Sequence, residues 1–111
     1  MNKISIIGLG FVGLPLACIL AGLNKKKLEI LGIDEKFSNK KLTKEKYLSS
    51  FSNNLIDKKL KIQIRKATNN NNFTISNNLK DIKDSNIIVA SINFDFQNAK
   101  FENTFSYLKT F

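Results

Sequence analysis

The stretch Lys3-Ile4-Ser5-Ile6-Ile7-Gly8-Leu9-Gly10-Phe11-Val12-Gly13 decides the fold of this chain. It opens with a strand-like apolar run, and three glycines follow in the spacing G-x-G-x-x-G. Where a strand turns into a helix, Gly8 permits the tight turn, Gly10 lets a ligand approach the backbone, and Gly13 lets the helix pack against the sheet. The spacing therefore predicts a buried strand, a glycine turn and a helix over about residues 11–23.

The uncharged segment of residues 4–23 has two other interpretations. Its twenty residues are long enough for a membrane-spanning helix, and with Lys3 before it the segment is also compatible with a signal peptide. However, a second β-rich run at residues 28–33 ends in Asp34, twenty-one residues after Gly13. A membrane span or a signal peptide does not need an acid there, whereas a turn that binds a dinucleotide does. We therefore expect the strand–turn–helix arrangement and no membrane partner.

The same pattern predicts which groups contact a dinucleotide. The N–H groups of Phe11 and Val12 are expected to point at the pyrophosphate, because the N-terminus of a helix attracts anions. Asp34 is placed to accept hydrogen bonds from the adenosine ribose hydroxyls, and its charge repels a ribose 2′-phosphate, which favours NAD over NADP. Lys36 stands close enough in the sequence to leave NADP open. The alternative for Asp34 is a surface acid that ends a strand.

Capping residues and apolar runs indicate the remaining elements. Ser38 is expected to cap a helix to about residue 48, and Asn54 a second helix to about residue 66, with Asp57 as its first-turn acid. Residues 60–64 also alternate like a strand, so that segment is ambiguous. The other predicted elements are a loop at 69–72, a strand at 73–75, a helical turn that Ser76 caps and that runs to about residue 83, a strand at 86–91 and a helix after Thr104.

Strands that alternate with helices predict right-handed β-α-β units. They indicate an α/β, Rossmann-like, doubly wound parallel sheet with strand order 3-2-1-4 and helices on both faces. A complete fold of this type also has strands five and six. We therefore expect residues 1–111 to be a partial NAD(P)-binding domain, without catalytic and substrate domains. Ser91 and Asn93 follow strand four at the carboxyl edge of the sheet, where they are candidates to contact the diphosphate or the nicotinamide ribose; a plain loop role is the alternative.

The composition excludes several kinds of active site. The chain has no histidine and one cysteine, which removes histidine-based acid–base catalysis, cysteine-rich zinc sites and intrachain disulfides. Cys18 lies in an apolar run and is expected to be a small core residue. The formal net charge of +9 suggests a polyanion partner, but Arg65 is the only arginine, and arginine is the usual reader of phosphate and guanine. We therefore expect no nucleic-acid partner, and we predict no metal site and no catalytic residue in this chain.

The segment Ile6-Ile7-Gly8-Leu9-Gly10-Phe11-Val12-Gly13-Leu14-Pro15-Leu16-Ala17 closely resembles the start of the UDP-glucose/GDP-mannose dehydrogenase family. That family typically begins with a strand and then G-L-G-Y/F-V-G-L-P-L-A. Gly32-Ile33-Asp34 matches the family's G-x-D at the end of strand two, and residues 79–90 and 104–110 are similar to later segments. The resemblance implies an NAD-dependent, cytoplasmic oxidoreductase of polysaccharide biosynthesis, which oxidises a UDP- or GDP-sugar alcohol to the uronic acid.

Two segments depart from the family pattern. Ser91-Ile92-Asn93-Phe94 stands where the family usually has V-P-T-P, so that Asn93 replaces a threonine that touches the cofactor. Residues 51–54 replace a proline and an E-P-G segment. The family's catalytic cysteine and lysine and its substrate-binding asparagine lie far downstream, so this chain alone is not expected to catalyse the reaction or to bind the nucleotide sugar. The alternative is a stand-alone or decayed nucleotide-binding module.

Two apolar surfaces need a cover in the predicted fold. Strand four would form an apolar edge of the sheet, and the first helix is apolar nearly all round. We therefore expect a homo-oligomer or a missing C-terminal segment.

Overall fold

The computed structural model of this chain describes residues 2–23 and 28–92. Within them, four parallel strands form one sheet in the order β3-β2-β1-β4. The strands are β1 (Asn2–Ile7), β2 (Leu28–Ile33), β3 (Phe73–Ser76) and β4 (Ile87–Ala90). The predicted fold class and strand order are thereby confirmed. Asn93, the lysine run at 25–27 and the helix predicted after Thr104 lie outside the described residues.

The register of the central strand brings three chain segments to one edge of the sheet. Ile7, the last residue of β1, is paired with Ile33 of β2 on one side and with Ala90 of β4 on the other. The ladder continues one step further, because the amide of Gly8 donates to the Ile33 carbonyl at 2.7 Å and the amide of Ser91 donates to the Ile7 carbonyl at 2.7 Å. The glycine turn therefore starts between the ends of β2 and β4.

Three α-helices and two short 3₁₀ turns connect the strands within the described residues. The helices are α1 (Gly13–Ala21), α2 (Lys44–Asn53) and α3 (Lys58–Thr68), and the 3₁₀ turns are Glu35–Ser38 and Leu79–Ile82. Helix α1 is two residues shorter at each end than predicted. At its N-terminal end the backbone of residues 11 and 12 still belongs to the glycine turn, and at its C-terminal end Gly22 is the C-cap. The segment of residues 4–23 thus forms a strand, a turn and a helix, as predicted. In the part of the chain that the structure describes, no helix is both long and apolar enough to span a bilayer.

Three predicted helix caps were wrong. Thr43 caps α2 in place of Ser38, and its hydroxyl accepts from the Lys46 amide at 3.2 Å. Asp57 caps α3 in place of Asn54, because its carboxylate accepts from two amides, those of residues 59 and 60. Residues 60–64, whose pattern fitted a helix or a strand, lie within α3 and are helical.

The turn before β4 has a cap of the same kind. Asn78, not Ser76, caps the 3₁₀ turn Leu79–Ile82, and its side-chain oxygen accepts from the Lys80 amide at 3.0 Å. The hydroxyl of Ser76 instead accepts from the Asn78 amide at 2.9 Å. Ser76 therefore positions the capping residue and does not cap the turn itself.

The core has two parts, one on each face of the sheet. All three α-helices of the described residues pack on one face, and this part of the core takes in the following buried residues: Ile6, Leu9, Leu14, Ala17, Cys18, Ala21, Ile30, Leu48, Ile64, Ala67 and Phe73. The other face is covered by the 3₁₀ turn Leu79–Ile82, whose Ile82 packs with Ile7, Leu31 and Ile33. Helical cover on both faces was predicted, and among residues 2–23 and 28–92 the cover on the second face comes from the 3₁₀ turn Leu79–Ile82.

Candidate functional site

The first glycine of the turn is fixed by backbone geometry. Gly8 has a φ of +93°, a conformation that residues with a side chain rarely adopt. A β-carbon at Gly8 would also overlap the backbone carbonyl of Ser91, which follows β4. Gly8 therefore permits both the turn out of β1 and the close approach of the chain after β4.

The second and third glycines differ in what surrounds them. A β-carbon at Gly13 would overlap the carbonyl of Gly8, so the start of α1 packs directly on the turn. A β-carbon at Gly10, in contrast, would meet no atom of the described residues within 4 Å. Packing of this part of the chain therefore explains Gly8 and Gly13 but not Gly10, and the space beside Gly10 is available to a ligand.

The N-terminus of α1 lies beside this space and lacks a protein cap. Val12 occupies the capping position and makes no side-chain hydrogen bond, and the first turn of the helix carries no acidic residue. Within the described residues, the amides of Phe11 and Val12 have no hydrogen-bond acceptor, and the two side chains are 85% and 69% exposed. Unpaired amides at the positive end of a helix dipole suit an anionic group such as a phosphate.

Asp34 lies at the end of β2 and contacts the glycine turn directly. Its Oδ2 accepts a hydrogen bond from the Leu9 amide at 2.9 Å, and its Oδ1 accepts from the Lys36 amide at 3.1 Å, so that the carboxylate also caps the first 3₁₀ turn. The Asp34 side chain is 18% exposed, which leaves part of the carboxylate open to solvent. The structure thus brings the predicted acid and the predicted turn together.

Lys36 and Tyr47 complete a polar network around Leu9. The Lys36 ammonium lies 3.7 Å from Asp34 Oδ2 and donates to the Tyr47 hydroxyl at 2.8 Å. The Tyr47 hydroxyl in turn donates to the Leu9 carbonyl. The backbone N–H and C=O of Leu9 are therefore both hydrogen-bonded to side chains. The Leu9 side chain itself is fully buried.

Sequence reasoning did not identify Tyr47 as part of this site. No local pattern marks the residue, because its partner Leu9 lies 38 positions away in the chain. Part of its role is indeed packing, since its ring makes edge contacts with Phe37 and Phe51, and Phe51 in turn contacts Phe11. The hydrogen bond to the glycine turn could not be found from spacing.

Of the two candidate residues after β4, Ser91 and Asn93, the structure describes only Ser91. Ser91 is half-buried and lies against the turn, with its β-carbon within 3.3 Å of the place where a β-carbon at Gly13 would be. Asn93, the second candidate, lies outside the described residues. Ser91 is therefore the described residue that extends the site from the turn toward β4.

Cys18 takes no part in this site. Its side chain is fully buried in α1, and burial raises the pKa of the thiol to about 12. A thiol that stays protonated at neutral pH is a poor nucleophile. The predicted core role of Cys18 is confirmed.

Comparison with known proteins identifies a family to which the chain is similar. Residues 2–110 match the model of the UDP-glucose/GDP-mannose dehydrogenase family, NAD binding domain. No curated protein matches the chain significantly. Among solved structures, the chain is similar to a UDP-D-ManNAc dehydrogenase from Pyrococcus horikoshii, with a TM-score of 0.59, 20% identity, and coverage of 81% of this chain and 20% of that chain.

A second solved structure gives the same picture. The chain is similar to a UDP-N-acetyl-mannosamine dehydrogenase from S. aureus, with a TM-score of 0.60, 17% identity, and coverage of 97% of this chain and 25% of that chain. At these identities the likeness concerns the fold. The chain spans about a fifth to a quarter of the length of these two structures.

Proposed function

Because this chain belongs to the UDP-glucose/GDP-mannose dehydrogenase family, through the NAD-binding domain of that family, we propose that it holds NAD for the oxidation of a UDP- or GDP-sugar alcohol to the uronic acid. A stand-alone or decayed module is not favoured, because the family match extends over residues 2–110. Residues 1–111 are, in this proposal, the cofactor-binding part of the dehydrogenase.

One observation carries the proposal: an uncapped helix N-terminus adjoins the open space at Gly10. The amides of Phe11 and Val12, which have no acceptor among the described residues, would bind the pyrophosphate, which approaches the backbone where Gly10 has no side chain. No acid of the first turn of α1 competes for these amides. NAD bound here would supply the hydride acceptor for the sugar carbon.

The two ends of the dinucleotide would be held by the neighbouring strand ends. The open part of the Asp34 carboxylate would accept hydrogen bonds from the adenosine ribose hydroxyls at the end of β2. Ser91 and Asn93, after β4, would contact the diphosphate or the nicotinamide ribose. Tyr47 acts indirectly in this arrangement, because it positions the glycine turn through the Leu9 carbonyl.

The remaining predictions from the sequence belong to the same proposal. In this proposal, catalysis and binding of the nucleotide sugar need further segments of the enzyme, since the chain spans about a fifth to a quarter of the two solved structures. We propose a cytoplasmic enzyme of polysaccharide biosynthesis, in keeping with a lone, buried thiol and a nicotinamide cofactor. A second copy, or a further C-terminal segment, would cover β4, whose Ile87 and Ile88 are 54% and 49% exposed.

Calorimetric titration of NAD, NADH, NADP and ADP-ribose into the chain tests the cofactor role. The variant Gly10→Val places a side chain beside the turn, where the described residues leave space, so the variant should fold normally. That side chain would occupy the place of the pyrophosphate, so the variant should lose NAD and ADP-ribose binding. Gly22→Ala is the matched control: Gly22 lies at the other end of α1 in right-handed helical geometry. Its β-carbon would lie 3.1 Å from the flexible end of Gln63 and at ordinary contact distance, 3.5 Å, from the Cys18 and Ile19 carbonyls. Undetectable binding of every nucleotide by the parent chain would refute the proposal.

A further inference from the structure

The adenosine-ribose end of the site carries a positive charge next to the acid. The Lys36 ammonium lies 3.7 Å from Asp34 Oδ2, and the two side chains are 36% and 18% exposed. In dinucleotide-binding folds, an acid at this position binds the ribose 2′-hydroxyl and repels a 2′-phosphate, whereas a nearby arginine accommodates that phosphate. Here the acid is present, and Lys36 supplies the nearby positive charge.

Tyr47 holds this ammonium in place. The Lys36 Nζ donates to the Tyr47 hydroxyl at 2.8 Å and lies 4.3 Å from the centre of the Tyr47 ring, which is the distance of a cation–π contact. Tyr47 itself is anchored by its hydrogen bond to the Leu9 carbonyl. Tyr47 therefore fixes the position of the Lys36 ammonium relative to the glycine turn, whereas an unconstrained surface lysine would move freely.

The Asp34 carboxylate is, at the same time, partly engaged by the protein. Its Oδ2 accepts from the Leu9 amide and its Oδ1 from the Lys36 amide. These bonds and the adjacent ammonium offset its negative charge, which is the feature that would exclude a 2′-phosphate. The neighbouring acid, Glu35, is exposed at the start of the 3₁₀ turn and has no salt bridge within the described residues.

We infer that this site accepts a ribose 2′-phosphate as well as a 2′-hydroxyl, so that the chain binds NADP in addition to NAD, with Lys36 as the residue that decides the ratio. The inference rests on the proposed cofactor role of the site. A lysine ammonium has three N–H donors, and one of them is used by Tyr47. The remaining donors make no hydrogen bond within the described residues, so they can bind a phosphate, which lysine binds as a point charge.

Calorimetric titration of NAD and NADP into the parent chain and into Lys36→Met tests the inference. The parent should bind NADP within about tenfold of NAD, and Lys36→Met should weaken NADP by about tenfold or more while NAD changes less than about threefold. Lys36→Arg, which keeps the charge, should keep NADP binding. Lys40→Met, an exposed lysine four positions further on, is the matched control and should change neither affinity.

Three outcomes would overturn the inference. NAD binding by the parent without NADP binding would show that Asp34 excludes the phosphate in spite of Lys36. An equal loss of NAD and NADP in Lys36→Met, at an unchanged melting temperature, would show that Lys36 acts only by ordering the turn. Failure of the parent to bind any dinucleotide would refute the proposed function, and the inference with it.

Discussion

The carboxylate of Asp34 accepts a hydrogen bond from the backbone amide of Leu9 at 2.9 Å. This bond joins the end of β2 to the middle residue of the G-x-G turn, 25 positions earlier in the chain. Asp34 therefore fixes the turn and, in the proposed function, would also accept hydrogen bonds from a ribose. Substitutions at Asp34 should affect both the stability of the turn and the affinity for the cofactor.

Asp34→Ala should raise the dissociation constant for NAD by about tenfold or more, because charged hydrogen bonds contribute about 1.5–3 kcal/mol each. It should also lower the free energy of unfolding in urea. Asp57→Ala is the control, since Asp57 also accepts two backbone hydrogen bonds, but at the start of α3. It should lower the free energy of unfolding by about 1 kcal/mol and leave the NAD affinity unchanged. Equal losses of NAD affinity in the two variants would contradict a direct role for Asp34.

Gly8→Ala should destabilise the chain severely, by about 3 kcal/mol or more, because the substitution combines backbone strain with an overlap in a packed turn. The backbone of Gly8 has a φ of +93°, and its β-carbon would meet the Ser91 carbonyl. Gly10→Ala, two positions away, should change the free energy of unfolding by less than about 0.5 kcal/mol, because its β-carbon meets no described atom. Urea denaturation followed by circular dichroism measures both values. Similar stabilities of the two variants would show that the positive φ of Gly8 does not restrict the turn.

The parts of the site that follow local rules could be predicted from the sequence. The spacing of Gly8, Gly10 and Gly13 after a strand, and an acid at the end of the next strand, together specify a turn whose geometry depends on few other residues. The strand order also followed, because alternating strands and helices with right-handed crossovers leave few arrangements. Ser91 was placed correctly at the edge of the sheet for the same reason.

Features that depend on the choice between neighbouring residues, or on distant contacts, could not be predicted. Asn54 and Asp57 are both good N-capping residues, but Asn54 is the C-cap of α2, so the next helix begins at Asp57. Asn72 stands in a run of four asparagines that predicted a loop, and the structure has a loop there. Nothing in that run indicated that the Asn72 side-chain amide donates to the Ala21 and Leu28 carbonyls and so ties α1 to β2.

Tyr47→Phe should weaken both the turn and the cofactor affinity without disturbing the aromatic packing. The variant keeps the ring contacts with Phe37 and Phe51 but removes the hydrogen bond to the Leu9 carbonyl. We expect a loss of about 1 kcal/mol in the free energy of unfolding and a several-fold higher dissociation constant for NAD. Phe37→Leu is the control, since it removes a ring contact and leaves the Leu9 hydrogen bonds in place. A loss of NAD affinity in Phe37→Leu as large as in Tyr47→Phe would show that packing, and not the hydroxyl, orders the turn.

The buried thiol of Cys18 should make the chain less stable at alkaline pH. Burial raises the pKa of Cys18 to about 12 in the folded state, compared with 9.0 for an ordinary thiol. Between these values the unfolded chain has lost the proton that the folded chain retains. The stabilisation is therefore complete below pH 9.0 and is lost as the pH rises toward 12. Urea denaturation at a series of pH values should show this decline, and Cys18→Ala should reduce it.

A second buried group, Lys44, opposes the decline in stability at alkaline pH. Burial lowers the pKa of Lys44, so the folded state gains relative stability as that lysine loses its proton. Lys44 is present in both proteins, so its burial contributes to both; the difference between the parent and the variant reports the thiol together with the charge interaction between Cys18 and Lys44. Thiol-specific labelling gives a second measure: Cys18 should resist labelling at pH 8 in the folded chain and react in urea. Rapid labelling without denaturant would contradict its burial.

The exposed side chains of β4 should cause the chain to self-associate when it is prepared alone. The register with β1 pairs Ile87 with Ile4 and Ile88 with Ser5, so the two isoleucines lie on opposite faces of the strand, and both are about half exposed. Their strand is at the edge of the sheet within the described residues, and unprotected apolar edges associate. Light scattering should therefore report an oligomer, and Ile88→Lys should shift it toward the monomer while NAD affinity is kept. Ile56→Lys, at a fully exposed isoleucine between α2 and α3, is the control and should not change the mass. A monomeric parent chain at high concentration would show that the edge of β4 is already protected.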